Sequence, residues 1–115
     1  MAFRKVRLQI LPLVVALAFP VLAHAKFEPP VPVRTYAPKY PEELKREGAM
    51  GIVVVRFTVD AQGNVVDPEV EKSTNSGFDR AALDAVKRWK FKPARENGNP
   101  IAKKVAIPIK FVAES

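Results

Sequence analysis

From Ile52 to Asp60 alternate positions sort onto two faces, one of them wholly apolar. Val53, Val55, Phe57 and Val59 fall on one side, against Val54, Arg56, Thr58 and Asp60 on the other. A period of two predicts a strand buried on one face. Val65 to Ser73 predicts a second strand, with Val66, Pro68 and Val70 on one side. Asp60-Ala61-Gln62-Gly63-Asn64 lies between the two, with Gly63 available for positive φ, so the pair reads as a β-hairpin. The period then changes. Phe78, Ala82, Ala85, Val86 and Trp89 recur at spacings of three and four, which predicts a main helix over Ser76 to Phe91. Ser76 with Asp79 resembles a capping box, and Pro93 stops the helix. Asn97-Gly98-Asn99-Pro100 reads as a loop. Lys104 to Val112 predicts a third strand, with Val105, Ile107, Ile109 and Phe111 on one face. Upstream, Pro41 to Gly48 predicts a short helix: proline first, Glu42 and Glu43 in the first turn, Lys45 and Arg46 in the last, Gly48 at the end.

The prolines order the strands. A proline donates nothing to a sheet ladder and is confined to edges and strand ends. The second strand carries Pro68 and the third Pro108, while the first carries none. The first strand should be central. The expected fold is α+β: a two-layer sandwich with a three-stranded antiparallel sheet in the order 2–1–3, one main helix packed on it and a short N-terminal helix.

Residues 1–25 read as a signal peptide. Arg4, Lys5 and Arg7 precede an apolar run from Ile10 to Ala23, and Ala23-His24-Ala25 ends it. Fourteen helical residues span only about 21 Å, against a hydrocarbon core of about 30 Å. The alternative is a short, uncleaved inner-membrane anchor. Both place the remainder outside the cytoplasm: in the periplasm, or anchored to the inner membrane and facing it. Residues 26–39 are a proline-rich linker, expected to be extended, with Pro29, Pro30, Pro32 and Pro38. Residues 40–115 form the domain.

Composition narrows the chemistry. The 115 residues hold no cysteine and a single histidine, His24. Thiolate metal sites, a cysteine nucleophile and a Ser-His-Asp triad outside the leader are excluded by counting. The formal charge is +7, but three of the 19 basic residues lie in the leader. The remaining 16 against 12 acids leave +4, a mild bias rather than a nucleic-acid footprint. Lys87, Arg88, Lys90, Lys92 and Arg95, interleaved with Trp89 and Phe91, read as the basic end of a helix whose aromatics face the core. Glu42, Glu43 and Glu47 read as partners of a helix dipole. No enzyme activity, cofactor or metal is expected.

Several motifs recur in a familiar order. They are Tyr40-Pro41, Gly48 and Gly51, Phe57-x-Val59-Asp60-x-x-Gly63, the run Phe78 to Val86, Trp89-x-Phe91-x-Pro93-Ala94, Gly98-x-Pro100 and Pro108-Ile109-x-Phe111. Together they resemble the C-terminal domain of the TonB family of energy transducers, from about Tyr40 to the end of the chain. The resemblance implies the helix–hairpin–helix–strand order read above. It also implies binding to outer-membrane receptors and a link to inner-membrane motor subunits. The apolar segment here has no Ser/His pair in its middle, and the linker is short for a full transducer of that family. The alternative reading is a structural or assembly role in the envelope, in which the domain pairs with itself through edge strands or joins an envelope complex, without energy transduction.

The third strand should be an open edge, and exposed edges accept an extended peptide by main-chain hydrogen bonds. The resemblance implies that the N-terminal segment of a receptor adds there as an extra strand. Pro108 has no N–H, so it belongs to the outward set. Lys104, Ala106, Lys110 and Val112 share its parity and are the candidate partner-binding residues with it. Their side chains lie on the face away from the helix, where the two lysines favour an acidic segment. The resemblance adds the stretch before the first helix, Ala37, Pro38, Lys39 and Tyr40. Polar amides are often found there in the family; Ala37 and Lys39 stand in their place here, which implies a different receptor set.

Overall fold

The alternating valines of the first expected strand form the centre of the sheet. The computed structural model describes residues 26–113. Along them run β1 (Phe27–Glu28), β2 (Val31–Arg34), α1 (Glu42–Arg46), β3 (Gly51–Val59) and β4 (Val65–Ser73). A 3₁₀ turn (Ser76–Phe78) leads into α2 (Asp79–Val86), followed by β5 (Lys90–Lys92), β6 (Ala94–Glu96), β7 (Asn99–Ile101) and β8 (Lys103–Phe111). The main sheet is antiparallel in the order β4-β3-β8. That is the α+β fold and the 2–1–3 order read from the prolines. Residues 1–25, the expected signal peptide or anchor, lie outside the described residues.

Parity on β3 is as the alternation requires. Val53, Val55, Phe57 and Val59 are buried and join Phe78, Ala82, Val86, Phe91, Ile109 and Phe111 in one core. The second strand departs from its expected parity. Between Arg56 and Thr58, β4 holds one residue more than β3, and again between Val54 and Val55. These are β-bulges, and Asp67 takes a positive φ of 51° in the first. The extra residue switches the facing set. Val65 and Val70 reach the core, while Val66 turns to solvent.

The main helix is shorter than its apolar stripe predicts. It ends at Val86, and Arg88 and Trp89 close the last turn with i→i−3 bonds to Ala85 and Val86. Phe91 then leaves the helical path. Its side chain is buried and its N–H donates to the Gly63 carbonyl at 2.9 Å. Lys90–Lys92 is therefore a strand, and Pro93 stops nothing. The cap also differs. Asn75, not Ser76, accepts the Gly77 N–H at 2.9 Å, while Asp79 accepts from the Ser73 hydroxyl at 2.6 Å.

Two small sheets were not legible as strands. β6 and β7 form a hairpin around Asn97 and Gly98, at φ 52° and 83°. Positive φ at both central residues is the type I′ turn that an Asn-Gly pair favours, so the expected loop is a tight turn. β1 pairs with β6 and β2 with β5. The proline-rich stretch is extended as expected, but its first part is docked on the domain rather than standing free as a linker.

Candidate peptide-binding edge

β8 lies at one margin of the main sheet and pairs only with β3 among the described residues. The register is continuous, from Gly51↔Phe111 to Val59↔Lys103. One pair fixes which main-chain groups are free. Ile52 spends both of its groups on the β4 side. Its N–H donates to the Thr74 hydroxyl at 2.9 Å, and its carbonyl accepts the Thr74 N–H at 3.0 Å. The facing pair Ile52↔Lys110 is then not hydrogen-bonded, and pairs alternate along an antiparallel ladder. Val54↔Pro108, Arg56↔Ala106 and Thr58↔Lys104 follow the same parity. The absent N–H of Pro108 fits this without loss. The N–H and C=O groups of Lys104, Ala106 and Lys110, with the Pro108 carbonyl, point away from the sheet.

The side chains of Lys104, Ala106, Pro108 and Lys110 are exposed on the face away from α2. Arg56 on that face is paired with Glu69 at 2.8 Å. Among the described residues, Lys104 and Lys110 have no carboxylate within 4.0 Å. On the other face α2 packs mainly over β3 and β4. Val105 and Ile107 are therefore only half-buried, and the core is unfinished beyond β8.

Val112 lies just past the end of β8 and is 60% exposed. With Met50, Gly51, Ile52, Thr74, Lys110 and Phe111 it lines a hollow of about 390 Å³. Met50 and Ile52 were missed as site residues. Their signal was parity: Ile52 is apolar, yet it stands out of phase with the buried valines.

The stretch before α1 divides. Tyr40 is built into the fold. Its ring meets Phe78 and Phe111 edge-on at 5.6 and 5.7 Å, and its hydroxyl donates to the Ala49 carbonyl. Tyr40 also shares a small hollow with Lys45, Val112 and Ala113, which brings it to the end of β8. Ala37 and Lys39 go elsewhere. They are exposed and, together with Tyr40, line a cleft of about 520 Å³ against α2, with Arg80, Asp84 and Arg88 across it. Pro38 between them is half-buried. The two candidate groups thus meet at Tyr40 and Val112 only.

Comparison with known proteins settles the family. Residues 36–113 match the model of the Gram-negative bacterial TonB protein C-terminal. The chain belongs to the TonB C-terminal family. It is 45% identical over 75 residues to Protein TonB of Xanthomonas campestris pv. campestris, covering 64% of this chain and 34% of that protein. It is 37% identical over 78 residues to Protein TonB of Vibrio cholerae, covering 67% and 32%. This TonB-family chain therefore spans about a third of the length of those relatives. The fold is similar to the solution structure of the Pseudomonas aeruginosa TonB C-terminal domain, with a TM-score of 0.63 at 29% identity over 82% of this chain and 93% of that one. It is also similar to the TonB2 protein of Vibrio anguillarum, with a TM-score of 0.54 at 26% identity over 90% and 98%.

Proposed function

We propose that this chain is a TonB-type binding module on the periplasmic side of the envelope. It captures an extended segment of an outer-membrane receptor by strand addition to β8 and serves TonB-dependent transport. The observation that carries this reading is the edge of β8, where the main-chain groups of Lys104, Ala106 and Lys110 have no ladder partner among the described residues. Unpaired main-chain groups at a sheet margin gain hydrogen bonds from an added strand, and alternate side-chain positions supply selectivity. The half-buried Val105 and Ile107 favour apolar residues on the helix side of the incoming strand. Lys104 and Lys110, six positions apart and about 20 Å along the strand, favour acidic ones on the other. Tyr40 supports the end of the edge from inside the fold and, with Ala37 and Lys39, lines the α2 cleft, which would guide the segment only beyond β8. Energy transduction through inner-membrane motor subunits belongs to the same proposal, through the family.

A proline scan tests it, with a synthetic peptide from the N-terminal segment of a TonB-dependent receptor as probe. Ala106→Pro and Lys110→Pro remove only outward donors, so binding should be lost while the circular dichroism and the melting curve persist. Ile107→Pro and Ile109→Pro remove ladder donors and should unfold the domain. Unaltered binding in both outward variants would exclude addition at this edge.

A further inference from the structure

Residues 26–36 lie along the β5–β6 edge as an extended strap with an anchor at each end. At the first end Lys26 and Asn97 bond reciprocally. The Lys26 N–H donates to Asn97 Oδ1 at 3.0 Å, and the Lys26 carbonyl accepts the Asn97 N–H at 2.8 Å. At the other end the Tyr36 carbonyl accepts the Trp89 indole N–H at 2.9 Å. The Arg88 guanidinium sits 4.4 Å from the centre of the Tyr36 ring. Between the anchors the hold is thin. Beyond the Lys103 ammonium 5.3 Å from the centre of the Phe27 ring, the register supplies Phe27↔Glu96 and Glu28↔Arg95 on β6, then Val31↔Lys92, Pro32↔Phe91 and Arg34↔Lys90 on β5. Pro29, Pro30 and Pro32 have no N–H to give. Val31 and Val33 remain 50% and 68% exposed, so little apolar area is removed from water. Arg34 stands opposite Lys90, a like-charge pair that opposes the contact.

We infer that residues 26–35 are a releasable strap, which peels from the Lys26 end as far as the Tyr36–Trp89 clamp while the domain stays folded. The ladder bonds lie across the strap, so a pull at Lys26 directed away from β5 and β6 loads them one after another, from the Lys26 end. Neither β1 nor β2 pairs with β3, β4 or β8, so the main sheet is not breached when the strap opens. Elements held by few buried apolar contacts open at a lower free energy than the core. About ten released residues at roughly 3.5 Å each form an arm of about 35 Å that can swing about the Tyr36–Trp89 clamp. The strap begins directly after residue 25, where the sequence predicts a leader or anchor. With residues 1–25 retained as the anchor, the domain would carry a stretch of its own tether docked along its edge; with a cleaved leader the strap is a free N-terminal arm. The inference stands apart from receptor capture at β8.

Hydrogen exchange of the full chain in detergent micelles tests it. The main-chain amides of β1 and β2 should exchange at least 100-fold faster than those of β3. A Glu28→Cys, Arg95→Cys pair joins facing residues in a chain that otherwise has no cysteine. Once oxidised, it should slow strap exchange at least tenfold and leave β3 unchanged. Strap amides that exchange at the rate of β3 in the native chain would overturn the inference. So would a strap whose rate the closed cross-link does not alter. Failure of the pair to cross-link would count against docking in this register.

Discussion

The indole N–H of Trp89 donates to the main-chain carbonyl of Tyr36 at 2.9 Å, across 53 positions of sequence. Trp89 is half-buried, with its ring 6.3 Å from that of Phe91. It closes the helix stripe but spends its polar edge on the segment before α1, so its role is divided between core and clamp. Trp89→Phe keeps most of the packing and loses the donor. The expected loss is about 1 kcal/mol, a fall in Tm of about 4–8 °C for a domain of this size. Trp89→Ala should cost about 2–3 kcal/mol, below the range for a fully buried tryptophan. Thermal melts of the two variants check the split. Equal losses in both would show that the hydrogen bond carries the whole effect.

Gly63 and Gly98 both take positive φ, at 86° and 83°, but their surroundings differ. A Cβ on Gly63 would lie 1.9 Å from the Phe91 carbonyl oxygen, whereas nothing stands within 4 Å of one on Gly98. Gly98→Ala should cost only the left-handed backbone penalty, about 1–2 kcal/mol. Gly63→Ala adds a backbone clash and must part the β3–β4 turn from β5, for a total of about 3 kcal/mol or more. Urea midpoints measure both. Similar midpoints for the two variants would mean that the Gly63–Phe91 contact is dispensable.

Charge at the edge is the third test. Lys104→Glu and Lys110→Glu should each weaken binding of an acidic receptor peptide about 3- to 5-fold, the scale of one exposed ion pair. The wild-type affinity should fall as ionic strength rises, because exposed pairs are screened. Titration at two salt concentrations reads both effects. An affinity indifferent to salt and to both reversals would show that the lysines do not face the segment.

The regular elements were legible because their periods are long. β3 keeps an apolar residue at every second position from Val53 to Val59 and shows its face in the sequence. The prolines at positions 68 and 108 give the strand order, because a missing N–H is a covalent fact. The failures share a different cause. Lys90-Phe91-Lys92 has one apolar residue between two lysines, a pattern that suits the end of a helix as well as a strand. A tertiary hydrogen bond from Phe91 to Gly63 decided between them. Asn97-Gly98 carried a hairpin signal, but the flanking strands of three residues are too short to show a period. β1 and β2 are strands only because β5 and β6 are beside them. At the edge, parity was readable from Pro108 alone. The division of Ala37, Pro38, Lys39 and Tyr40 between the α2 cleft and the core was not, since it depends on where α1 and α2 pack.

The central claim is that β8 accepts a strand through its outward main-chain groups. Amide exchange of the domain, followed residue by residue by NMR with and without a receptor-derived peptide, tests it most directly. The predicted result is strong new protection at Lys104, Ala106 and Lys110, with Val105, Ile107 and Ile109 already protected in the free protein and little changed. Protection that appears instead along the α2 cleft, or that leaves Ala106 and Lys110 exchanging freely in the bound state, would contradict it.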